Sequence, residues 1–150
     1  MEYTITKFLH VLFAIIAVGY NASYGVWLAR AARQPAETQL FALRTIKFMD
    51  DRIANPLYGL LALSGLFMVF TAGYPLTTLW IALAIVLYVI AIVFAITVIT
   101  PNLRAALRAL EADGPESPAY KNAMRNGRTF GVAISVVVVG IVFLMVVKPA

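Results

Sequence analysis

Four long apolar stretches constrain the fold of this chain more than any other feature. They run from about Phe8 to Leu28, Ile53 to Thr71, Thr78 to Thr100 and Thr129 to Val147. Each has the roughly 20 residues that an α-helix needs to cross a hydrocarbon core about 30 Å thick. The runs are continuous rather than alternating, so they predict helices and not the strands of a barrel. We therefore expect one all-α domain, residues 1–150, built as a four-transmembrane-helix bundle.

The composition excludes several classes of protein. The chain is 62% hydrophobic and 13% charged, whereas a soluble domain is about 45–50% apolar and about 25% charged. It has no cysteine, which rules out disulfides, thiolate metal sites and a cysteine nucleophile. Its single histidine rules out a cluster of imidazole ligands within one chain.

The basic residues predict the orientation. Ten of the twelve Lys and Arg residues lie in two connections, about 29–52 and 101–128: Arg30, Arg33, Arg44, Lys47, Arg52, Arg104, Arg108, Lys121, Arg125 and Arg128. Basic connections face the cytoplasm, so we expect both termini on the outer side of a bacterial inner membrane. Topology and anionic lipid headgroups account for the positive charge, and no nucleic-acid partner is required.

The two basic connections differ in pattern. Residues 36–51 place apolar side chains at helical spacing, which indicates an interfacial helix or an extension of the second span. Pro56 is expected to kink or start that span. Residues 102–127 predict a short helix, Leu103 to Ala112, followed by a turn at Asp113-Gly114-Pro115 in a solvated tether.

Polar residues at membrane depth are the candidates for a site, because they are costly and usually face the interior of a bundle. On the first span His10, Asn21 and Tyr24 share one helical face, with Lys7 one turn outward, and Asn55 adds polarity to the second span. One interpretation makes His10 and Asn21 interhelical hydrogen-bonding residues. The other makes His10 a cofactor ligand or a proton relay, since neutral imidazole serves both roles.

Met68 and Met145 are predicted to lie near the depth of His10. One imidazole and two thioethers suit a heme iron with a His/Met ligand pair, or a soft site for Cu(I). Lys7 and Lys148 would then be partners for an anion such as a heme propionate. The alternative is that the methionines fill gaps in packing and the lysines reach to the interface.

Small residues predict where helices meet. Gly59 and Gly65 would allow close approach to the second span, and Gly131 and Ser135 form a small-xxx-small surface on the fourth. The third span has no ionisable residue except Tyr88, which argues against a channel or a transporter. No pattern identifies a catalytic residue, so enzyme activity is left open.

Three segments carry a resemblance to a known family: Lys7-Phe8-Leu9-His10, Asp51-Arg52 with Pro56 and Gly65, and Met145-Val146-Val147-Lys148-Pro149. With these the chain resembles, over its whole length, a bacterial family of predicted integral membrane proteins, domain of unknown function 2269. The Lys-x-x-His opening is also similar, more distantly, to HemJ-type protoporphyrinogen oxidases and CopD-type copper-resistance domains. The HemJ resemblance implies that His10 binds heme b. That type uses basic residues inside later helices, which the third span lacks, so protoporphyrinogen oxidation is not expected.

Three functional hypotheses follow. The chain binds heme through His10, with Met68 or Met145 as a second ligand; or it is an accessory subunit that packs in a larger membrane complex or a homo-oligomer; or it handles copper through the same three residues.

Overall fold

The computed structural model describes residues 1–149, and the secondary structure in that range is helical. Four continuous helices are long and apolar enough to cross a membrane, which confirms the expected all-α bundle. Two of these helices each contain one π-helical turn, which is wider than an α-helical turn and divides the helix into two α-helical segments. The six α-helical segments are: α1 (Glu2–Ala31), α2 (Ala36–Met49), α3 (Asn55–Thr71), α4 (Leu79–Phe94), α5 (Thr100–Asp113) and α6 (Pro118–Val147).

Two π-helical turns join consecutive segments into single rods. Asp50–Ala54 connects α2 to α3, and Ala95–Ile99 connects α4 to α5. Each turn is followed by a proline, Pro56 or Pro101, which has no N–H to donate and whose ring would clash with the carbonyl four residues earlier. The wider turn accommodates both effects, and π turns are known sites of helix bending. The sequence predicts that Pro56 kinks or starts the second span. In the structure Pro56 lies just after a π turn, inside a continuous helix.

These rods are longer than a bilayer is thick. The helix Ala36–Thr71 has 36 residues, which at 1.5 Å per residue gives about 54 Å, against about 30 Å of hydrocarbon. The first basic connection is thus an extension of the second span, one of the two alternatives that the sequence left open. The cytoplasmic location of this extension stays a prediction.

The spans pack as two antiparallel pairs, α1 with α3 and α4 with α6. The hydroxyl of Tyr88 on α4 donates to the Tyr58 carbonyl on α3 at 2.6 Å and ties the pairs together. The buried side chains inside the spans are three alanines, Ala17, Ala54 and Ala84, and one large residue, Ile81, while many other large apolar side chains are exposed. Helices packed through small residues with apolar outer faces are what lipid, rather than water, allows.

The two basic connections form a packed unit, which we call the basic head (residues 29–52 and 101–128). Its core consists of side chains from α2, α5 and the start of α6: Leu43, Ala106, Leu110, Tyr120 and Ala123. The prediction of a solvated tether for residues 102–127 is therefore wrong. Its apolar positions recur at helical spacing and bury one face of α5 against α2 and α6.

Polar contacts fix the register of the head. The Tyr120 hydroxyl donates to Gln39 Oε1 at 2.9 Å, and the Asn102 side-chain amide donates to the Ala123 carbonyl at 2.9 Å. Arg44 on α2 forms an ion pair with Glu111 on α5 at 2.8 Å. In the loop before α6 a hydrogen bond from Lys121 holds the pKa of Glu116 below its usual value.

We expect Leu43→Ala to destabilise the protein by about 2–5 kcal/mol, because Leu43 is 1% exposed at the centre of the head and its truncation leaves a cavity. Phe41→Ala is the matched control, since Phe41 is 67% exposed on the same helix and should change stability by about 0.5 kcal/mol or less. Thermal unfolding in detergent measures both. Equal destabilisation would contradict a packed head.

Candidate cofactor site

The His10 ring is held in one orientation between α1 and α3. Its Nδ1 lies 2.9 Å from Ser64 Oγ, and the Ser64 hydroxyl in turn donates to the Leu60 carbonyl at 2.7 Å. The Ser64 hydroxyl has one hydrogen to donate, so the tautomer that satisfies both Ser64 and the Leu60 carbonyl is the one in which the ring Nδ1–H donates to Ser64. The neutral imidazole then carries its lone pair on Nε2. Within residues 1–149 the side-chain hydrogen bond of the ring is the one that Nδ1 makes with Ser64.

Gly65 makes room for this ring. A Cβ atom at Gly65 would lie 3.0 Å from His10 Cε1 and 3.6 Å from Nδ1, so the imidazole rests against bare backbone. The expected close approach at Gly65 is thus explained by His10 itself. Gly59, which we predicted to play the same part, has nothing within 4 Å of its hypothetical Cβ.

The other candidate ligands lie at the same end of the bundle as His10, on or next to α1, α3 and α6. Met68 is partly buried and follows Ser64 by four residues, hence about 6 Å along α3 on the same face. Lys7 is exposed, one turn before His10 on α1. Met145 is exposed on the last turn of α6. Lys148 lies over the Trp80 ring, 5.2 Å from its centroid.

A second polar cluster lies deeper in the α1–α3 pair. The Asn21 side-chain amide donates to the Tyr58 hydroxyl, and that hydroxyl faces the Ala17 carbonyl at 3.5 Å. Asn21 therefore serves as an interhelical hydrogen-bonding residue, the first of the two interpretations above. Its partner Tyr58 and the His10 partner Ser64 were not singled out by sequence analysis.

Tyr24 and Asp50 lie at the end of this cluster that is nearer to the basic head. The Tyr24 hydroxyl is buried and has no hydrogen-bond partner in the structure as described. Asp50 is partly buried near it, in the π turn that also precedes Asn55. Its neighbour Asp51 forms an ion pair with Lys47, which lies four residues earlier in the same continuous helix.

The acidic residues do not assemble a metal centre. Within residues 1–149 no group of three or more His, Asp or Glu side chains could hold a metal ion.

Comparison with known proteins places the chain in a family. The profile of a family described as "predicted integral membrane protein (DUF2269)" matches residues 4–149. The chain belongs to the DUF2269 family. The match includes both basic connections and the four spans. No curated protein and no solved structure matches the chain, and the HemJ-type and CopD-type similarity is not shown.

We expect Gly65→Ala to displace the His10 ring and weaken its bond to Ser64, because the new methyl would lie 3.0 Å from Cε1. Gly59→Ala on the same helix is the control. Its methyl group would have no atom within 4 Å, so the orientation of the His10 ring should stay unchanged. Nitrogen-15 NMR of labelled histidine reports the protonation of Nδ1 and Nε2 directly. An unchanged imidazole spectrum in Gly65→Ala would contradict this geometry.

We expect opposite effects from two tyrosine substitutions on facing helices. Tyr58→Phe leaves the Asn21 amide without its acceptor inside the bundle and should cost about 1–3 kcal/mol. Tyr24→Phe removes a buried hydroxyl that has no partner among the described residues and should be neutral or stabilising. Thermal unfolding in detergent compares them, and a larger loss in Tyr24→Phe would contradict the assignment.

Proposed function

We propose that this DUF2269 protein binds heme b in the membrane, with His10 Nε2 as an axial ligand. The observation that supports the proposal is the state of the His10 ring. Its Nδ1 is hydrogen-bonded to Ser64 and its ring lies against Gly65, and in the tautomer that donates to Ser64 the lone pair of Nε2 would bind the iron. Metal-binding histidines commonly use one ring nitrogen for the metal while the other donates to a partner that fixes the ring.

The surrounding residues fit such a group. Met68 lies on the same face of α3 as Ser64 and supplies a thioether as a second ligand. The exposed ammonium of Lys7 is free to pair with a propionate, whereas Lys148 is placed over Trp80. A bound heme would supply one-electron redox chemistry, and the chain's own role would be to orient it and to keep it in an apolar environment.

Heme titration of the purified protein tests the proposal. We expect one heme per chain with a Soret band that His10→Ala abolishes. Ser64→Ala should weaken heme binding about 10- to 100-fold, as is typical when a ligand's hydrogen-bond partner is removed. Ser135→Ala is the matched control, because Ser135 makes the same local bond to the carbonyl four residues earlier but contacts no histidine.

The outcomes separate the proposals. If the protein takes up no heme, or if Ser64→Ala and Ser135→Ala bind it equally well, the heme proposal is wrong. Metal analysis of the same samples tests the copper alternative, in which His10, Met68 and Met145 hold Cu(I) as a soft ion. Copper retention that is lost in a Met68→Leu/Met145→Leu variant would favour copper.

A second candidate is an accessory subunit of a membrane complex. It is supported by two small-residue positions, Gly19 on α1 and Gly131 on α6, where an added Cβ would meet nothing within 4 Å, each followed four residues later by a serine. Such faces suit close packing of another helix. Co-purification of a partner that persists in His10→Ala and is lost in Gly131→Leu would favour this role over heme binding.

A further inference from the structure

The fourth span, α6, continues from the basic head into the membrane without a π turn. It is one α-helix from Pro118 to Val147, whereas the second and third spans each contain a π turn near the head. Residues along α6 therefore keep the regular spacing of 3.6 per turn over its whole length. A row of side chains that starts in the head continues on the same face of this helix inside the membrane.

The basic side chains of α6 lie on one exposed face. Lys121, Arg125 and Arg128 are spaced by four and three residues, which places them on one side of the helix. All three are exposed. A different side of the same helix contributes Tyr120 and Ala123 to the core of the head. The basic row is thus turned away from the rest of the protein.

The same face continues toward the chain terminus as an apolar row, which we call the α6 stripe (Val132, Val139 and Phe143). These residues follow Arg128 at steps of four, seven and four residues, which stay on one side of a regular helix. Their side chains are 62%, 67% and 58% exposed. One continuous face of α6 is therefore basic in the head and open to lipid below it.

The two arginines lie at the level of the lipid headgroups. Arg128 directly precedes the apolar stretch that begins at Thr129, and Arg125 is three residues, or about 4.5 Å, farther out. The headgroup layer is about 5–8 Å thick on each side of the hydrocarbon. Lys121 is about 10 Å beyond Arg128 and lies outside this layer.

No carboxylate neutralises the two arginines. Segment α6 contains no Asp or Glu, and Glu116, which precedes it, forms an ion pair with Lys121. Arg125 donates from Nη2 to Asn122 Oδ1 at 3.1 Å, which leaves its other N–H groups available. Neither Arg125 nor Arg128 forms an ion pair within residues 1–149. Two neighbouring guanidinium groups therefore face the headgroup layer with their charge uncompensated.

We propose that Arg125 and Arg128 bind the phosphate of one anionic phospholipid, whose acyl chains lie against the α6 stripe. Side chains three residues apart on a helix have Cβ atoms about 5–6 Å apart, so both guanidinium groups can reach one phosphate. The planar guanidinium group matches the geometry of a phosphate, and the positive charge favours an anionic lipid. The site lies at the opposite end of the bundle from His10 and does not depend on heme.

Native mass spectrometry of the delipidated protein in detergent tests the site, with phosphatidylglycerol and phosphatidylcholine of equal chain length as probes. We expect one phosphatidylglycerol to be retained in preference to phosphatidylcholine. Arg125→Gln/Arg128→Gln should lower its apparent affinity about 30-fold, because each arginine near the membrane surface contributes roughly fivefold. Arg33→Gln/Arg108→Gln is the matched control. It removes the same charge from exposed positions on two different segments of the head and should change the affinity less than threefold.

Two further arms complete the test. Arg125→Lys/Arg128→Lys keeps the charge and should retain most of the lipid binding, and all variants should unfold at the temperature of the unchanged protein because the replaced side chains are exposed. Glycerol phosphate, a soluble phosphate without acyl chains, should not displace the lipid, because the α6 stripe also contributes to binding. Equal binding of both lipids, equal loss in the two Gln variants, or displacement by glycerol phosphate would overturn the proposal.

Discussion

The structure depends on the absence of water around the four spans. In hydrocarbon every backbone N–H and C=O has to be satisfied within its own segment, so a chain of this composition forms continuous helices. Hydrophobic attraction between helices is lost in the same solvent, so contacts rely on small residues and a few polar ties. That is why Ala17 and Ala84 are buried while many large apolar side chains are exposed, and why Tyr88 and Asn21 hold the helix pairs together.

The chain changes character where the hydrocarbon ends. The two π turns lie near one end of the second and third apolar stretches, each shortly before a proline, and beyond them the same rods continue into the basic head. In water apolar burial is again favourable, and Leu43 and Leu110 form a core of the kind found in soluble bundles. The proposed heme site lies at the other end of the spans, near the chain termini, where His10 would hold the iron.

The sequence predicts the spans and less of the site. Runs of about 20 apolar residues identify helices without any knowledge of their neighbours. The partners of His10 and Asn21, which are Ser64 and Tyr58, depend on how one helix is rotated against another, and a uniformly apolar helix carries no periodicity that reports this rotation. The packing of the head was missed for a different reason, since a short amphipathic helix such as Leu103–Ala112 fits a tether and a core equally well.

A depth profile along α3 tests the central claim that lipid surrounds the spans and ends at the arginines. The chain has no cysteine, so single-cysteine variants from Phe48 to Phe70 can each carry one spin label in reconstituted vesicles. The measured quantity is the ratio of the label's accessibility to oxygen, which dissolves in lipid, to its accessibility to a water-soluble nickel reagent. This ratio should be low at Phe48, rise after Arg52 and be greatest near Leu63. A flat profile, or access of the nickel reagent to Leu63 equal to that at Phe48, would contradict the account.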